Sequence, residues 1–196
     1  MNQQTIRIAT IVGSNRSGRF APVVRDWFAS KVADHQEIVH DIIDLAETPL
    51  PSILPAFRES ISTHDEQLLK AVSPRLAAAD GFVVITPEYN HSYPGALKTA
   101  IDWHNAEWRA KPVGFVSYGG ISGGLRAVEH LRLVFAELHA VTIRNTVSFA
   151  NAWDKFALEG PPLNTGAEEA ANLLLQQLTW WARLLKDGKA RQPYVS

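Results

Sequence analysis

Apolar residues alternate between two rhythms along this chain. Short, nearly unbroken runs rich in β-branched residues fill positions 5–12 (TIRIATIV), 37–45 (EIVHDIIDL), 81–86 (GFVVIT), 111–117 (KPVGFVS) and 140–148. Such runs predict strands covered on both faces, as in a parallel sheet. Between them, apolar residues recur three and four positions apart. Phe20, Val24, Trp27, Phe28 and Val32 predict a helix over 20–32, with Trp27 and Phe28 in the core rather than at a ligand. Leu68, Leu69, Val72 and Leu76 predict one over 65–79, kinked by Pro74. Leu97, Ala100 and Ile101, with His104 on the same face, predict a helix that opens at Pro94, a residue suited to a first turn. Leu131, Val134, Phe135 and Leu138 predict one over 125–138, and a closing helix covers 167–185. The three-proline stretch 46–61 and the segment 149–165 are predicted as irregular connections.

Five strands alternating with helices predict one doubly wound α/β domain over residues 1–196. In the flavodoxin-like strand order 2-1-3-4-5, with right-handed crossovers, the loops after strands one, three and four meet in one crevice. These are the loops that carry polar chemistry. The first, Gly13-Ser14-Asn15-Arg16-Ser17-Gly18-Arg19, joins a strand to a helix start. A helix start aims free N–H groups and the positive end of its dipole at one point. Ser14 and Ser17 add hydroxyl donors, and Arg16 and Arg19 add charge suited to a terminal phosphate. The same stretch also reads as an ordinary polar strand-to-helix turn. The GxGxxG fingerprint and the Walker A lysine are absent, and without cysteine no thiolate phosphatase loop is possible. A loop that holds a phosphate without attacking it points to a bound mononucleotide.

Composition narrows the setting. Of 196 residues, 46% are hydrophobic and 20% charged, with a net charge of −1, so no basic field invites nucleic acid or an anionic membrane. No apolar run approaches the roughly 20 residues of a membrane span. No signal-peptide pattern opens the chain. The lack of cysteine excludes disulfides and Cys-ligated metal and suits a cytoplasmic protein. The histidines have no ligand spacing, so no metal is expected.

The chain resembles the NADPH-dependent FMN reductase family of the flavodoxin-like superfold, which includes soluble quinone, chromate and azo-dye reductases. The likeness is carried by GSNRSGRF at 13–20, PEYNHSYPGALKTAIDW at 87–103 and SYGGISGG at 117–124. The resemblance implies FMN as cofactor, with Ser14 and Arg16 at its phosphate and the backbone around Gly18, Arg19 and Phe20 completing the cradle. It implies that Pro87, Glu88, Tyr89 and Asn90 line the isoalloxazine. Ser117, Tyr118, Gly119 and Gly120 would lie near the pyrimidine edge. Arg19, Ala21 and Thr99 depart from the family pattern, where Ser, Asn and Asn are common. The implied activity is hydride transfer from NADPH, with NADH possible, through FMN to a quinone, azo, metal-oxyanion or flavin acceptor.

In such an enzyme the cofactor carries the chemistry, so no side-chain acid or base is required. Tyr89 reads either as a flavin neighbour or as the anchor of its turn. His91 and Tyr93 are candidates on the substrate side, and a solvated or capping role also fits His91. Asp102 and Trp103 are expected to serve packing or a subunit contact. The competing reading is a flavodoxin-type electron carrier without pyridine-nucleotide turnover; the near-neutral charge and two loop arginines argue against it. The apolar segment 50–57 and Trp103, Trp108 and Trp153 predict exposed apolar surface and a homodimer or homotetramer.

Overall fold

The computed structural model describes residues 5–56, 59–156 and 166–195. Its elements run β1 (Ile6–Val12), α1 (Ala21–Ala33), β2 (Ile38–Asp44), α2 (Thr63–Lys70), α3 (Ser73–Ala78), β3 (Gly81–Pro87), α4 (Gly95–Asp102), β4 (Pro112–Gly119), α5 (Leu125–Glu137), β5 (Val141–Ala150) and α6 (Gly166–Arg191). A single 3₁₀ turn, Ala152–Asp154, follows β5. All strand pairs are parallel and the order is β2-β1-β3-β4-β5. Every residue of β3 is buried, as its unbroken apolar run requires.

Two apolar layers clamp the sheet. On one face α1 and α6 pack Val24, Phe28, Leu174 and Leu178 against Ile8, Val83 and Val116. On the other, α3, α4 and α5 pack Leu76, Leu97, Leu131 and Phe135 against Ile11, Val84 and Phe115. Trp27 and Phe28 are core residues. The reversal of strand order falls between β1 and β3, so their carboxyl ends open onto a crevice.

Three expectations change. The helix predicted over 65–79 is two helices, broken after Lys70. Pro74 lacks an N–H and its ring would strike the carbonyl of residue 70, so it starts α3 instead of kinking a longer helix. The closing helix runs past 185 to Arg191. Trp108 is fully buried, not exposed. Its ring meets Phe82 at 4.7 Å and Phe135 at 5.4 Å, and its Nε1–H donates to the His104 carbonyl at 2.7 Å. A large flat ring with one satisfied donor gains most from the core, so Trp108 contributes nothing to an exposed surface. Trp103 is half-buried, donating to the Pro51 carbonyl at 2.7 Å. Phe57, the end of the apolar segment, and most of the connection before α6 lie outside the described residues.

At the amino edge of the sheet, Lys111 is 7% exposed. Its Nζ donates to the Leu76 and Ala77 carbonyls, both at 3.0 Å, at the end of α3. Burial, aided by Lys189, pushes its pKa down to about 8, against the opposing pull of Asp80 and Glu107. The folded chain therefore holds fewer protons than the unfolded chain between pH 8 and the ordinary lysine range near 10. Stability rises with pH through that window, and the full cost, at most roughly 3 kcal/mol, applies below it. The urea midpoint is expected to climb from pH 8 to 10 in the wild type and to climb less steeply in Lys111→Met, where Lys189, also pushed down by burial, still contributes; equal slopes would refute this reading.

Candidate functional site

Four loops meet at the carboxyl edge of the sheet, each tied to the next. The loop after β1 begins at Gly13, whose N–H donates to the Ile85 carbonyl of β3 at 2.9 Å. A Cβ at Gly13 would lie 3.1 Å from Leu97 and 3.3 Å from that same carbonyl, so the chain passes close to β3 and α4. Asn15, Arg16, Ser17 and Gly18 are exposed, with Gly18 at φ +65°. α1 then begins without any side-chain cap on its first turn, which leaves its end open to an anion. Phe20 is half-buried against Tyr118, with ring centroids 6.0 Å apart.

Arg19 turns inward. Its Nη1 donates to the Ser14 carbonyl at 3.0 Å and to Asp44 at 2.5 Å, at the end of β2. Asp44 also takes Arg25 at 3.2 Å and the Ala46 N–H at 3.1 Å. Arg19 thus braces the phosphate loop from behind, which gives the departure from a family serine a structural purpose. Arg16 is the loop cation that projects outward.

After β3, Tyr89 and Ser92 exchange backbone hydrogen bonds of 2.8 and 3.0 Å around Asn90 and His91. Both central residues are left-handed, at φ 48° and 73°, the geometry of a tight type I′ turn. The turn presents Asn90 and His91 to solvent, and the His91 ring lies 6.0 Å from that of His130 on α5. Tyr93 leans on the core cluster that holds Leu97. The Tyr89 side chain reaches back, its hydroxyl 2.7 Å from that of Ser14, which joins the first loop to the second.

Glu88 joins the second loop to the third. Its carboxylate accepts from the Ser122 hydroxyl at 2.5 Å, from the Arg126 guanidinium at 2.9 Å and from the Arg126 N–H at 3.3 Å. Burial alone would push this carboxyl up; the hydrogen bonds from Ser122 and Arg126 outweigh it and hold Glu88 below the usual carboxylate range. Arg126 sits in the first turn of α5, where a cation opposes the helix dipole, and Glu88 supplies the compensating charge.

The third loop is folded inward by hydroxyls. Ser117, fully buried, and Ser148 both donate to the Gly123 carbonyl at 2.8 Å. Gly119 and Gly120 are half-buried at the loop entrance. The Gly120 carbonyl accepts from the Asn151 N–H at 2.9 Å, and a Cβ at Gly120 would stand 3.8 Å from the exposed ring of Trp153. Tyr118 is buried beneath the crevice, and its hydroxyl has no hydrogen-bond partner of good geometry among the described residues. Burial first, then the neighbouring Tyr89, pushes its phenol well above the usual range, so it stays a neutral donor.

The predicted site residues thus fall into three groups. Arg16, Gly18 and Asn90 are exposed on their loops, with Gly119 and Gly120 half-buried; Ser14, Ser117 and Tyr118 are buried, and Arg19, Glu88 and Tyr89 are half-buried and tie one loop to another. Pro87 closes β3 as a buried residue. Asp44, Arg126, Ser148 and Trp153 join these loops from outside the three motifs. A basic residue in a first turn with no acidic neighbour was a readable hint for Arg126. Beside the phosphate loop, a cleft of about 280 Å³ opens among Asn15, Leu45, Leu50, Gly95 and Thr99. An uncapped helix start, an outward arginine and a buried orphan hydroxyl behind them suit a ligand that brings phosphate oxygens. No cluster of metal-ligating side chains exists among the described residues, and no helix there is long and apolar enough to cross a membrane.

Comparison with known proteins bears on the ligand. The profile of the NADPH-dependent FMN reductase family matches residues 6–154. An NAD(P)H-dependent FMN reductase of Schizosaccharomyces pombe is 37% identical over 124 residues, 61% of this chain and 61% of that protein. A quinone reductase of Escherichia coli is 32% identical over 145 residues, 71% of this chain and 74% of that one. Among solved structures, FerB of Paracoccus denitrificans, a flavoenzyme NAD(P)H:(acceptor) oxidoreductase, superposes with a TM-score of 0.67 at 21% identity, over 93% of this chain and 98% of that one. This last likeness establishes the flavodoxin-like fold.

Proposed function

The chain belongs to the NADPH-dependent FMN reductase family, and on that footing we propose that it is an FMN-dependent NAD(P)H oxidoreductase that passes two electrons to a quinone. The observation that carries this reading is the junction of the loops after β1, β3 and β4 through Tyr89–Ser14 and Glu88–Ser122/Arg126. The quinone as acceptor draws support from the quinone reductase relative; azo, oxyanion and free-flavin acceptors rest on family resemblance, as does NADPH over NADH.

FMN, when bound, supplies the two-electron chemistry. The residues hold and orient it. Arg16 and the open start of α1 would take the phosphate. The Tyr89–Ser92 turn and the Gly119–Gly120 backbone would flank the ring, set at a fixed separation by the Glu88 clamp. His91 and Trp153 are both exposed at this edge, and flat substrates would follow one another over the same face of the ring.

Assembly belongs to the same proposal. Ile53, Leu54, Trp153 and Trp180 are 81%, 47%, 62% and 57% exposed, which supports a homodimer or homotetramer. A cytoplasmic setting fits the cysteine-free composition.

One experiment addresses both. Protein reconstituted with FMN is passed over a sizing column with light scattering and then mixed anaerobically with NADPH or NADH. Flavin absorbance is expected at a dimeric or tetrameric mass, to bleach on nucleotide and to return on adding a quinone. Absence of flavin after the column would refute the cofactor. Flavin that neither nucleotide bleaches would favour the electron carrier, and a monomeric mass would refute the assembly.

A further inference from the structure

Ser14 is the residue that family resemblance places on the phosphate, yet it is 0% exposed. What covers its hydroxyl is the Tyr89 hydroxyl, 2.7 Å away. Tyr89 itself is half-buried and reaches solvent. The two hydroxyls share one hydrogen bond, and its direction follows from what lies on each side. If Tyr89 donated to Ser14, Tyr89 would offer a phosphate only lone pairs, and the Ser14 proton would be left to the buried Tyr118 hydroxyl beside it. If Ser14 donates to Tyr89, the Ser14 proton is satisfied and the phenol O–H points outward. A dianion in the crevice selects the second arrangement, and each link in such a chain polarises the next. Phenol is also the stronger acid of the two and so the better donor to an anion.

We infer that the Tyr89 hydroxyl is the donor that meets the phosphate of the bound mononucleotide, with Ser14 acting behind it rather than on the phosphate itself. Tyr89 thus moves from the ring side of the site, where family resemblance places its turn, to the phosphate side. Arg19 completes the arrangement by holding the Ser14 carbonyl at 3.0 Å, which fixes the serine that orients the tyrosine. The turn around Asn90 and His91 then has a mechanical role. Its backbone pair at 2.8 and 3.0 Å anchors both ends of the segment from which Tyr89 reaches the first loop. Occupancy of the phosphate position and placement of the ring-flanking turn become one event.

The inference rests on the FMN reading, and the test separates the two. Apo wild type, Tyr89→Phe, Ser14→Ala and the double variant are titrated with FMN and with riboflavin by quenching of flavin fluorescence. Riboflavin lacks the phosphate, so each variant carries its own control for folding and for the ring subsite. Loss of a hydrogen bond to a charged group predicts that Tyr89→Phe weakens FMN about tenfold or more while riboflavin stays within about twofold. Ser14→Ala weakens FMN less, and the double variant is no weaker than Tyr89→Phe alone, because the serine acts through the tyrosine. Equal loss of FMN and riboflavin affinity in Tyr89→Phe would overturn the inference, since it would mean the ring is the group touched. So would a larger loss in Ser14→Ala that adds to that of Tyr89→Phe. A wild type that binds neither flavin would overturn the cofactor reading and this inference with it; one that binds both with equal affinity would overturn the phosphate contact alone.

Discussion

Asp44→Ala is expected to lower the melting temperature of the apoprotein by roughly 10 °C, and added FMN is expected to recover part of that loss. The Asp44 side chain is 2% exposed, and two arginines converge on it, Arg19 at 2.5 Å and Arg25 at 3.2 Å. Removing one partner of a buried pair leaves charge without a counterion and costs about 3–5 kcal/mol. For a chain of this size each kcal/mol moves the melting point by roughly 2–4 °C. Arg25 keeps a contact with Glu47 at 3.5 Å, but Arg19 keeps only the Ser14 carbonyl. A dianionic phosphate at the loop would offset the uncompensated positive charge left there, so the shift produced by FMN should be larger in the variant than in the wild type. Asp44→Asn, which retains an acceptor of the same shape, should lose less. Melting curves with and without FMN decide the matter: a variant within 2 °C of wild type would show that the pair contributes little.

A loss of similar size is expected for Gly124→Ala, again with weakened flavin binding. Gly124 has φ +83°, and a Cβ there would lie 2.8 Å from the Ser117 Cβ and 3.0 Å from both the N and the O of Tyr118. These are atoms of a central strand. Ser117 and Tyr118 are held in register with Thr86 and Pro87 on one side and with Ser148 and Phe149 on the other. The strand cannot retreat without breaking two ladders. Backbone strain of about 1–3 kcal/mol and overpacking of similar size add up to roughly 2–6 kcal/mol. Gly18→Ala is the control. Its φ of +65° is equally left-handed, but nothing lies within 4 Å of the added carbon. Only the conformational cost remains, about 1–2 kcal/mol. Equal melting points for the two variants would show that the close approach at Gly124 relaxes freely.

The contrast between these two glycines marks what can be read from a chain and what cannot. That both stand in loops after strands followed from their neighbours. That one is jammed against a strand from an adjacent element followed from nothing local. The same division runs through the fold. Unbroken β-branched runs, three-and-four spacing and prolines at helix starts are short-range patterns. They set the five strands and the helices between them, and the doubly wound order expected of such an alternation brings three loops to one edge. Even the break at Pro74 was present in the sequence, because a missing N–H and a ring clash act within four residues.

Pairings between distant residues were not readable in the same way. Trp108 looked like surplus apolar surface until Phe82 and Phe135 closed around it. Two arginines in the first loop suited a phosphate, but that one of them, Arg19, would meet Asp44, 25 positions away, was not legible there. Tyr89 read either as a flavin neighbour or as the anchor of its turn, and nothing local showed that its hydroxyl would reach Ser14, 75 positions away. Local sequence sets backbone conformation through sterics and hydrogen bonds that span a few residues, and that suffices for the elements and for the edge where their loops meet. The direction in which a long polar side chain points depends on which distant group is nearest once the sheet has assembled. For Arg19, Tyr89 and Glu88, it was the order β2-β1-β3-β4-β5 that brought Asp44, Ser14 and Arg126 within reach.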